Sequence, residues 1–110
     1  MKGEQYLTKP AQYALVYDEG SSWTDSRLVM KALPNNLTCS RYGFSVSKRI
    51  GNAVVRNRTK RLLREILRMT PLKPGWDIIF IARRPAATTD HAELTQSVRG
   101  LLSRARLRVE

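Results

Sequence analysis

The chain has 110 residues, 42% of them hydrophobic, and 20 Lys and Arg against 9 Asp and Glu, for a formal net charge of +11. That length fits one domain, residues 1–110, with a single modest core, and the hydrophobic share excludes wholesale disorder. The excess of positive charge calls for a polyanion, with nucleic acid the first candidate and an anionic membrane surface the second.

No apolar run reaches the roughly 18 residues of a membrane span, and the N-terminus lacks the apolar core of a secretory signal. Cys39 is the only cysteine. It excludes an internal disulfide and a cysteine-rich zinc site and reads as a loop thiol. The expected setting is the cytoplasm.

Residues 1–7 read as a loose leader or short extended arm. A helix follows from Thr8, which is placed to cap it, with Pro10 in the first turn, where its missing N–H costs nothing, and Gly20 at the far end. Tyr13 and Tyr17 share one face of that helix. Such a pair either packs against a sheet or offers a platform on which bases stack. Residues 20–26 are polar around Trp23 and leave room for a short edge strand. Residues 27–33 (RLVMKAL) read as a strand ending in a turn at Pro34, Asn35 and Asn36. Residues 41–47 (RYGFSVS) alternate, with Tyr42, Phe44 and Val46 toward the core and Gly43, Ser45 and Ser47 on the other side. The short polar loop near 38–40 predicts an antiparallel pair of these two strands. The small residues on the second face predict a shallow groove.

The stretch 47–68, SKRIGNAVVRNRTKRLLREILR, carries Lys48, Arg49, Arg56, Arg58, Lys60, Arg61, Arg64 and Arg68 against one acid, Glu65. Gly51 ends the strand and Asn52 is a good N-cap for a helix from Ala53. At about 100° per residue, Val55, Leu62, Leu63, Ile66 and Met69 gather on one side, with Asn57, Lys60, Arg61, Arg64 and Arg68 roughly opposite. Arg56 and Arg58 flank the two sides, where long stems lie along apolar surface. Pro71 and Pro74 stop the helix near Thr70. By itself such a helix is a solvated face, a membrane-surface helix or a nucleic-acid face. Its continuity with a strand and turn favours a fixed, preshaped groove.

Residues 71–75 turn into a strand over 76–82 (WDIIFIA). Its unbroken apolar run of Ile78, Ile79, Phe80 and Ile81 predicts burial on both faces. Arg83, Arg84 and Pro85 follow. Asp90 with Glu93 has the spacing of a capping box, opening a helix over 91–106. That helix buries Leu94, Val98, Leu101, Leu102 and Ala105, and Arg99, Arg104, Arg106 and Arg108 load the outside. The order is helix, two or three strands, basic helix, strand, helix, a small α/β sandwich.

Groups that break bonds are scarce. The acids are scattered, and none has a spacing that holds two metals. His91, the only histidine, has no Cys, His or paired carboxylate beside it in sequence. Gly51 is not followed by the GK[ST] of a phosphate loop. Arginine forks match phosphate oxygens and Lys adds unspecific charge, while the Asn57 amide can reach a phosphate, a sugar or a base edge. The chain holds phosphates well and offers no catalytic residue and no metal site.

The run SVSKRIGNAVVRNRTKRLLRE, with Gly43 and Phe44 just before it, closely resembles the signature of the bacterial ribonuclease P protein subunit. That family carries K-[KR]-x-G-x-A-x-x-R-N-x-x-[KR]-R-x-x-R with an RNR triplet. Here the pattern falls on Lys48, Arg49, Gly51, Ala53, Arg56, Asn57, Arg58, Lys60, Arg61 and Arg64. PGWDIIFIARRPA resembles the family's next strand and trailing basic segment, and the likeness covers most of 8–107.

The resemblance implies an α+β fold, the α-β-β-β-α-β-α sandwich similar to a ribosomal protein S5 domain. It includes a left-handed βαβ crossover that runs against the general right-handed rule. It implies the protein subunit of a ribozyme, whose RNA removes the 5′ leader of precursor tRNA with Mg²⁺ held mainly by RNA. The implied partners are that catalytic RNA and precursor tRNA, with no membrane and a monomeric free protein. RNA-subunit contacts then fall to Lys48, Arg49, Asn52, Arg56, Asn57, Arg58, Lys60, Arg61, Arg64 and Arg68. The leader falls to a cleft with Tyr13, Tyr17, Lys31, Arg41, Ser45 and Ser47.

Two departures shift weight within the cleft. Residues 1–8 hold only Lys2 where the family usually starts with an Arg-containing basic segment, and Asp18 and Glu19 stand where it tends to be basic. Leader binding then leans on Lys9, Lys31, Arg41 and the basic helix. A ribosomal-type or architectural RNA-binding protein of the same fold explains the charge but not the long motif. A self-sufficient nuclease conflicts with the absence of clustered acids and histidines.

Overall fold

The sheet is built around β4 (Trp76–Ala82), in which Ile78, Ile79 and Phe80 are fully buried. Successive side chains leave a strand on opposite faces, so this run presents apolar surface to both sides. Each such burial contributes roughly 1.5–3 kcal/mol relative to exposure. A strand of that kind belongs inside a sheet. In the computed structural model, which describes residues 6–109, β4 lies between β2 (Leu28–Pro34) and β3 (Arg41–Ser45). Residues 1–5 of the predicted arm, with Lys2 and Glu4, and Glu110 lie outside the described residues.

β4 runs antiparallel to β2, from Leu28 opposite Ala82 to Pro34 opposite Trp76. It runs parallel to β3, from Arg41 opposite Asp77 to Ser45 opposite Ile81. β1 (Ser21–Thr24), the short strand expected near Trp23, pairs with the other side of β2, giving the order β1-β2-β4-β3. The antiparallel pairing expected between β2 and β3 is therefore incorrect. A direct hairpin would have pushed the doubly apolar β4 to an edge. Pro34 also belongs to the strand rather than to the turn, which is made by Asn35 and Asn36, the latter at φ 61°.

With α1 (Pro10–Glu19), α2 (Ala53–Arg68) and α3 (His91–Arg104) the element order is the α-β-β-β-α-β-α expected. The segment joining the parallel strands β3 and β4 contains α2. α2 and α3 cover one face of the sheet, where Leu63, Ile66, Leu94, Val98 and Leu101 meet Leu28, Met30, Ile78 and Phe80. α1 covers part of the other face, with Val16 against Ile79 and Tyr13 and Leu33 beside them.

Several boundaries differ from expectation for identifiable reasons. Thr8 does not cap α1. Pro10 forces the residue before it into an extended conformation, so Lys9 stands at the cap (φ −107°, ψ 140°). The Gln12 side-chain carbonyl accepts the N–H groups of Thr8 and Lys9 at 2.9 and 3.0 Å. β3 ends at Ser45, and a 3₁₀ turn, Lys48–Ile50, follows with the Ser47 hydroxyl accepting Arg49 N–H at 3.3 Å. A second 3₁₀ turn, Arg84–Thr88, was not foreseen. The buried stripe of α2 is centred on Thr59, Leu63 and Leu67. Met69, six residues on from Leu63, comes round to the outside and is 74% exposed, against the expectation.

α3 opens on the predicted capping box. Asp90 accepts Glu93 N–H at 2.8 Å, and Glu93 accepts Asp90 N–H at 3.4 Å. It ends at Arg104 rather than Arg106, because Arg106 takes the left-handed conformation (φ 61°) and Leu107 N–H closes on Leu102 C=O at 2.8 Å. This is the Schellman arrangement, with the apolar residue after the cap tucked inward; Leu107 is buried.

Candidate nucleic-acid interface

α2 starts as its sequence predicts. Asn52 accepts Val55 N–H at 3.0 Å. Gly51 (φ 153°) precedes it, and a Cβ there would lie 3.1 Å from the Val55 Cβ, so glycine suits both the backbone and the close approach. Val55 packs inward on a cluster of Val46, Ile50, Ala82 and Ala86, which anchors the N-terminal end of the helix to the strand ends. Outward stand Asn57, Arg61, Arg64 and Arg68, all exposed, and Lys48 and Arg49 are exposed on the preceding turn. The result is a ridge of cations about one helix long on a rigid base.

Arg56 and Arg58 are half-buried, as their flanking places predict, and Lys60, expected on the outward side, is half-buried as well. Arg58 donates to the Thr89 carbonyl at 3.3 Å, tying α2 to the loop before α3. The Arg56 Nε is buried with no partner among the described residues. Arg64 and Arg68 lie near Tyr42. Its phenol is pushed up to about 12, chiefly by burial and further by the Tyr6 hydroxyl, while the two arginines pull it down. Among the described residues the ion pairs are Arg27 with Glu93 at 3.8 Å and Arg41 with Asp77 at 2.7 Å, neither on the exposed ridge.

The second surface is the sheet face that α1 only partly covers. Arg41, Gly43 and Ser45 alternate onto this face of β3, beside Asp77, Ile79 and Ile81 of β4. Tyr13 lies on Gly43, where a Cβ would overlap the tyrosine hydroxyl. Its phenol donates to the Leu7 carbonyl at 3.4 Å, and burial pushes its pKa up. Gln12 and Tyr13, about 100° apart on the helix, flank opposite sides of α1. Tyr17, which is 38% exposed, follows Tyr13 on its side, and the Lys31 ammonium donates to the Tyr17 carbonyl at 3.5 Å. A cation at that end of α1 complements the helix dipole, where Asp18 and Glu19 stand exposed. Tyr13 therefore stands on this sheet face at Gly43, with Ser45 two residues further along β3, and Lys31 meets the helix at Tyr17.

Arg41 does not join them. It shares a separate concavity with Tyr6, Gln12 and Leu37 on the other flank of α1. Its guanidinium clamps Asp77 through Nε at 2.9 Å and Nη2 at 2.7 Å, and this carboxylate raises its pKa. Ser47 lies past the strand end, exposed. There it lines a concavity of about 560 Å³ with Arg49, Ile81 and Arg84, and Arg83 at its rim donates to the Asp25 carbonyl at 2.7 Å. The arginines after β4 were not assigned to a site from sequence, although two cations directly after a buried strand must surface at its end.

No group of three or more His, Cys, Asp or Glu able to hold a metal ion occurs among the described residues. The best-placed acids are already engaged. Asp25 accepts Arg27 and Leu28 N–H, Asp77 holds Arg41 and Asn35, and Asp90 and Glu93 cap α3. His91 is exposed in the first turn of α3. No helix among the described residues is long and apolar enough to cross a membrane.

Comparison with known proteins bears on the family and the fold. The family model described as Ribonuclease P matches residues 1–106. The chain is 51% identical over 107 residues to a ribonuclease P protein component of Dehalococcoides mccartyi strain CBDB1, covering 97% of this chain and 89% of that one. It is 44% identical over 108 residues to that of Roseiflexus castenholzii, covering 96% and 88%. Among solved structures it resembles the Staphylococcus aureus RNase P protein with a TM-score of 0.86 at 31% identity, over 96% of this chain and 98% of that one. For the Thermotoga maritima RNase P protein the TM-score is 0.81 at 29% identity, over 90% and 96%.

Proposed function

Since this chain belongs to the bacterial ribonuclease P protein family, an RNA-binding component of a tRNA-processing endoribonuclease, we propose that its two surfaces hold two different RNAs. The outward ridge of α2, with Lys48 and Arg49, docks on the catalytic RNA subunit. The groove beside α1 takes the single-stranded 5′ leader of precursor tRNA. The observation that carries this reading is the separation of the two surfaces: a cation ridge on one, and a sheet face of small residues beside Tyr13 and Tyr17 on the other.

Each surface suits its RNA. Arg61, Arg64 and Arg68 follow one another along the helix and present forked donors to successive phosphates. In the groove, Tyr17 offers a partly exposed ring for stacking, which tolerates any base. Ser45 adds a hydroxyl and Lys31 a charge. A site of this make-up binds leaders of varied sequence.

On this reading the chain breaks no bond, and hydrolysis takes place on the RNA subunit with Mg²⁺ held by RNA phosphates. On this reading no step runs through a protein-bound ion. The free protein acts as a monomer, in the cytoplasm. Reconstitution with a bacterial ribonuclease P RNA tests the reading. The protein should improve precursor cleavage at low Mg²⁺, and Tyr17→Ala should weaken precursor binding about tenfold, from the roughly 1–3 kcal/mol of one base–aromatic stack. Mature tRNA binding should not change. Equal losses on both substrates would remove Tyr17 from the leader path.

A further inference from the structure

Val54 is 76% exposed, the highest of the exposed large hydrophobic residues among those described. A single exposed apolar residue is ordinary on a protein surface, but the surroundings of this one are not. On α2 it stands in line with Asn57 and Arg58, three and four residues on, and with Arg61, two turns on. It is thus the apolar end of the cation ridge. The fold makes no use of it, because its neighbour Val55 already supplies the inward contact with the Ile50 and Ala82 cluster. Nor does the helix gain from it, since a β-branched residue at an exposed helical position is a weaker helix former than Ala, Lys or Glu.

We propose that Val54 is the apolar contact of the docking helix: its two methyl groups rest on the ribose or base face of one nucleotide of the RNA subunit, with Asn57 and Arg61 on the phosphates beyond. The inference rests on the reading of α2 as the docking helix. Charge selects RNA as the occupant. The surrounding cations repel a second copy of a chain whose net charge is +11, whereas the apolar surfaces of an RNA lie between its phosphates. Cations alone fix where a backbone runs along the helix. A buried methyl pair beside them fixes which nucleotide sits at the helix start.

The test is binding of the protein to a bacterial ribonuclease P RNA over a salt series. Losing two buried methyl groups should make Val54→Ala bind about tenfold more weakly at every salt concentration. The slope of log affinity against log salt should not change, because no phosphate contact is lost. Val54→Lys should also bind more weakly than the parent, although it adds a charge. Val54→Ala should melt at or slightly above the parent temperature, since the residue is exposed in the free protein. Arg61→Ala in the same series should instead reduce the slope by about 0.7–0.9.

Parental affinity in Val54→Ala, tighter binding in Val54→Lys, or a lowered melting temperature overturns the inference. If Arg61→Ala keeps its reduced slope in that case, α2 docking still stands. If Arg61→Ala also leaves affinity and slope unchanged, the docking reading fails and takes the inference with it.

Discussion

Gly43→Ala tests whether fold and groove share one contact. A Cβ at Gly43 would overlap the Tyr13 hydroxyl and come within 2.7 Å of Cζ and 2.9 Å of Cε2. Three atoms at the far end of the Tyr13 ring are too close at once, so the ring must move. Either Tyr13 rotates out into the groove or α1 lifts from β3. Overpacking of this kind costs about 1–3 kcal/mol, and at this chain length about 1.5 kcal/mol corresponds to a melting temperature lower by roughly 6 °C. Because Tyr13 flanks the groove, precursor tRNA binding should fall while binding to the RNA subunit holds. A double-mutant cycle isolates the contact: in a Tyr13→Ala background the cost of Gly43→Ala should largely vanish. A melting temperature within a degree of the parent, or a full penalty in the Tyr13→Ala background, would refute the placement of Tyr13 on Gly43.

Two further substitutions probe what holds the surfaces in place. Arg41→Ala strands the Asp77 carboxylate, which is 5% exposed and would keep only Asn35 as a side-chain partner. The expected loss is about 2–3 kcal/mol, below the full cost for a deeply buried pair because the arginine is partly in water; a chemical-denaturation midpoint equal to the parent's would show the pair to be dispensable. Asp90→Ala removes the capping box of α3 and should cost about 1 kcal/mol. An unchanged thermal midpoint would mean that the bonds at 2.8 and 3.4 Å are replaced by water without loss.

Local signals were legible and long-range ones only in part. Both ends of β4 are legible, because its apolar run is short, continuous and closed by Gly75 and Arg83. The start of α3 was readable from Asp90 and Glu93, while its end was not, since an arginine rather than a glycine takes the left-handed position at Arg106. The place of β3 in the sheet, parallel to β4, is not legible in its own residues. Nothing in RYGFSVS distinguishes a parallel from an antiparallel neighbour, and a short polar loop looks like a hairpin. The decisive signal lay in β4, whose two apolar faces require a neighbour on each side. In the candidate site the outward places of Asn57, Arg61, Arg64 and Arg68 follow from helical period alone, while Lys60, given the same side, is half-buried. Arg41 reads as a cation of the cleft in the sequence because its partner Asp77 stands 36 residues away, beyond the reach of any local pattern. The small side chains of Gly43, Ser45 and Ser47 predict a shallow groove, but Tyr13 lies on Gly43 and Ser47 stands past the strand end, and neither fact is local to the strand.

The two proposed RNA surfaces are joined by a very short and stiff stretch of chain. Ser45 is on the groove face at the end of β3, and Asn52 already caps α2. Between them every turn is held. Ser47 accepts Arg49 N–H, Ile50 N–H closes on Ser47 C=O at 3.1 Å, and Gly51 N–H closes on Lys48 C=O at 3.2 Å. Ile50 and Val55 pack into the same cluster as Val46 and Ala82. A flexible linker would let the helix dock on one RNA while the groove wandered, and the ordering entropy would be spent when the second RNA bound. Here that entropy is lost on folding instead. On the proposed reading, docking α2 on the RNA subunit would also set the position and direction of the second surface, so the leader would meet it already aligned. Loosening the stretch without touching either surface, as Ile50→Ala does, should therefore weaken precursor binding in the holoenzyme more than binding of the RNA subunit alone; the reverse order of effects would mean that the two surfaces act independently.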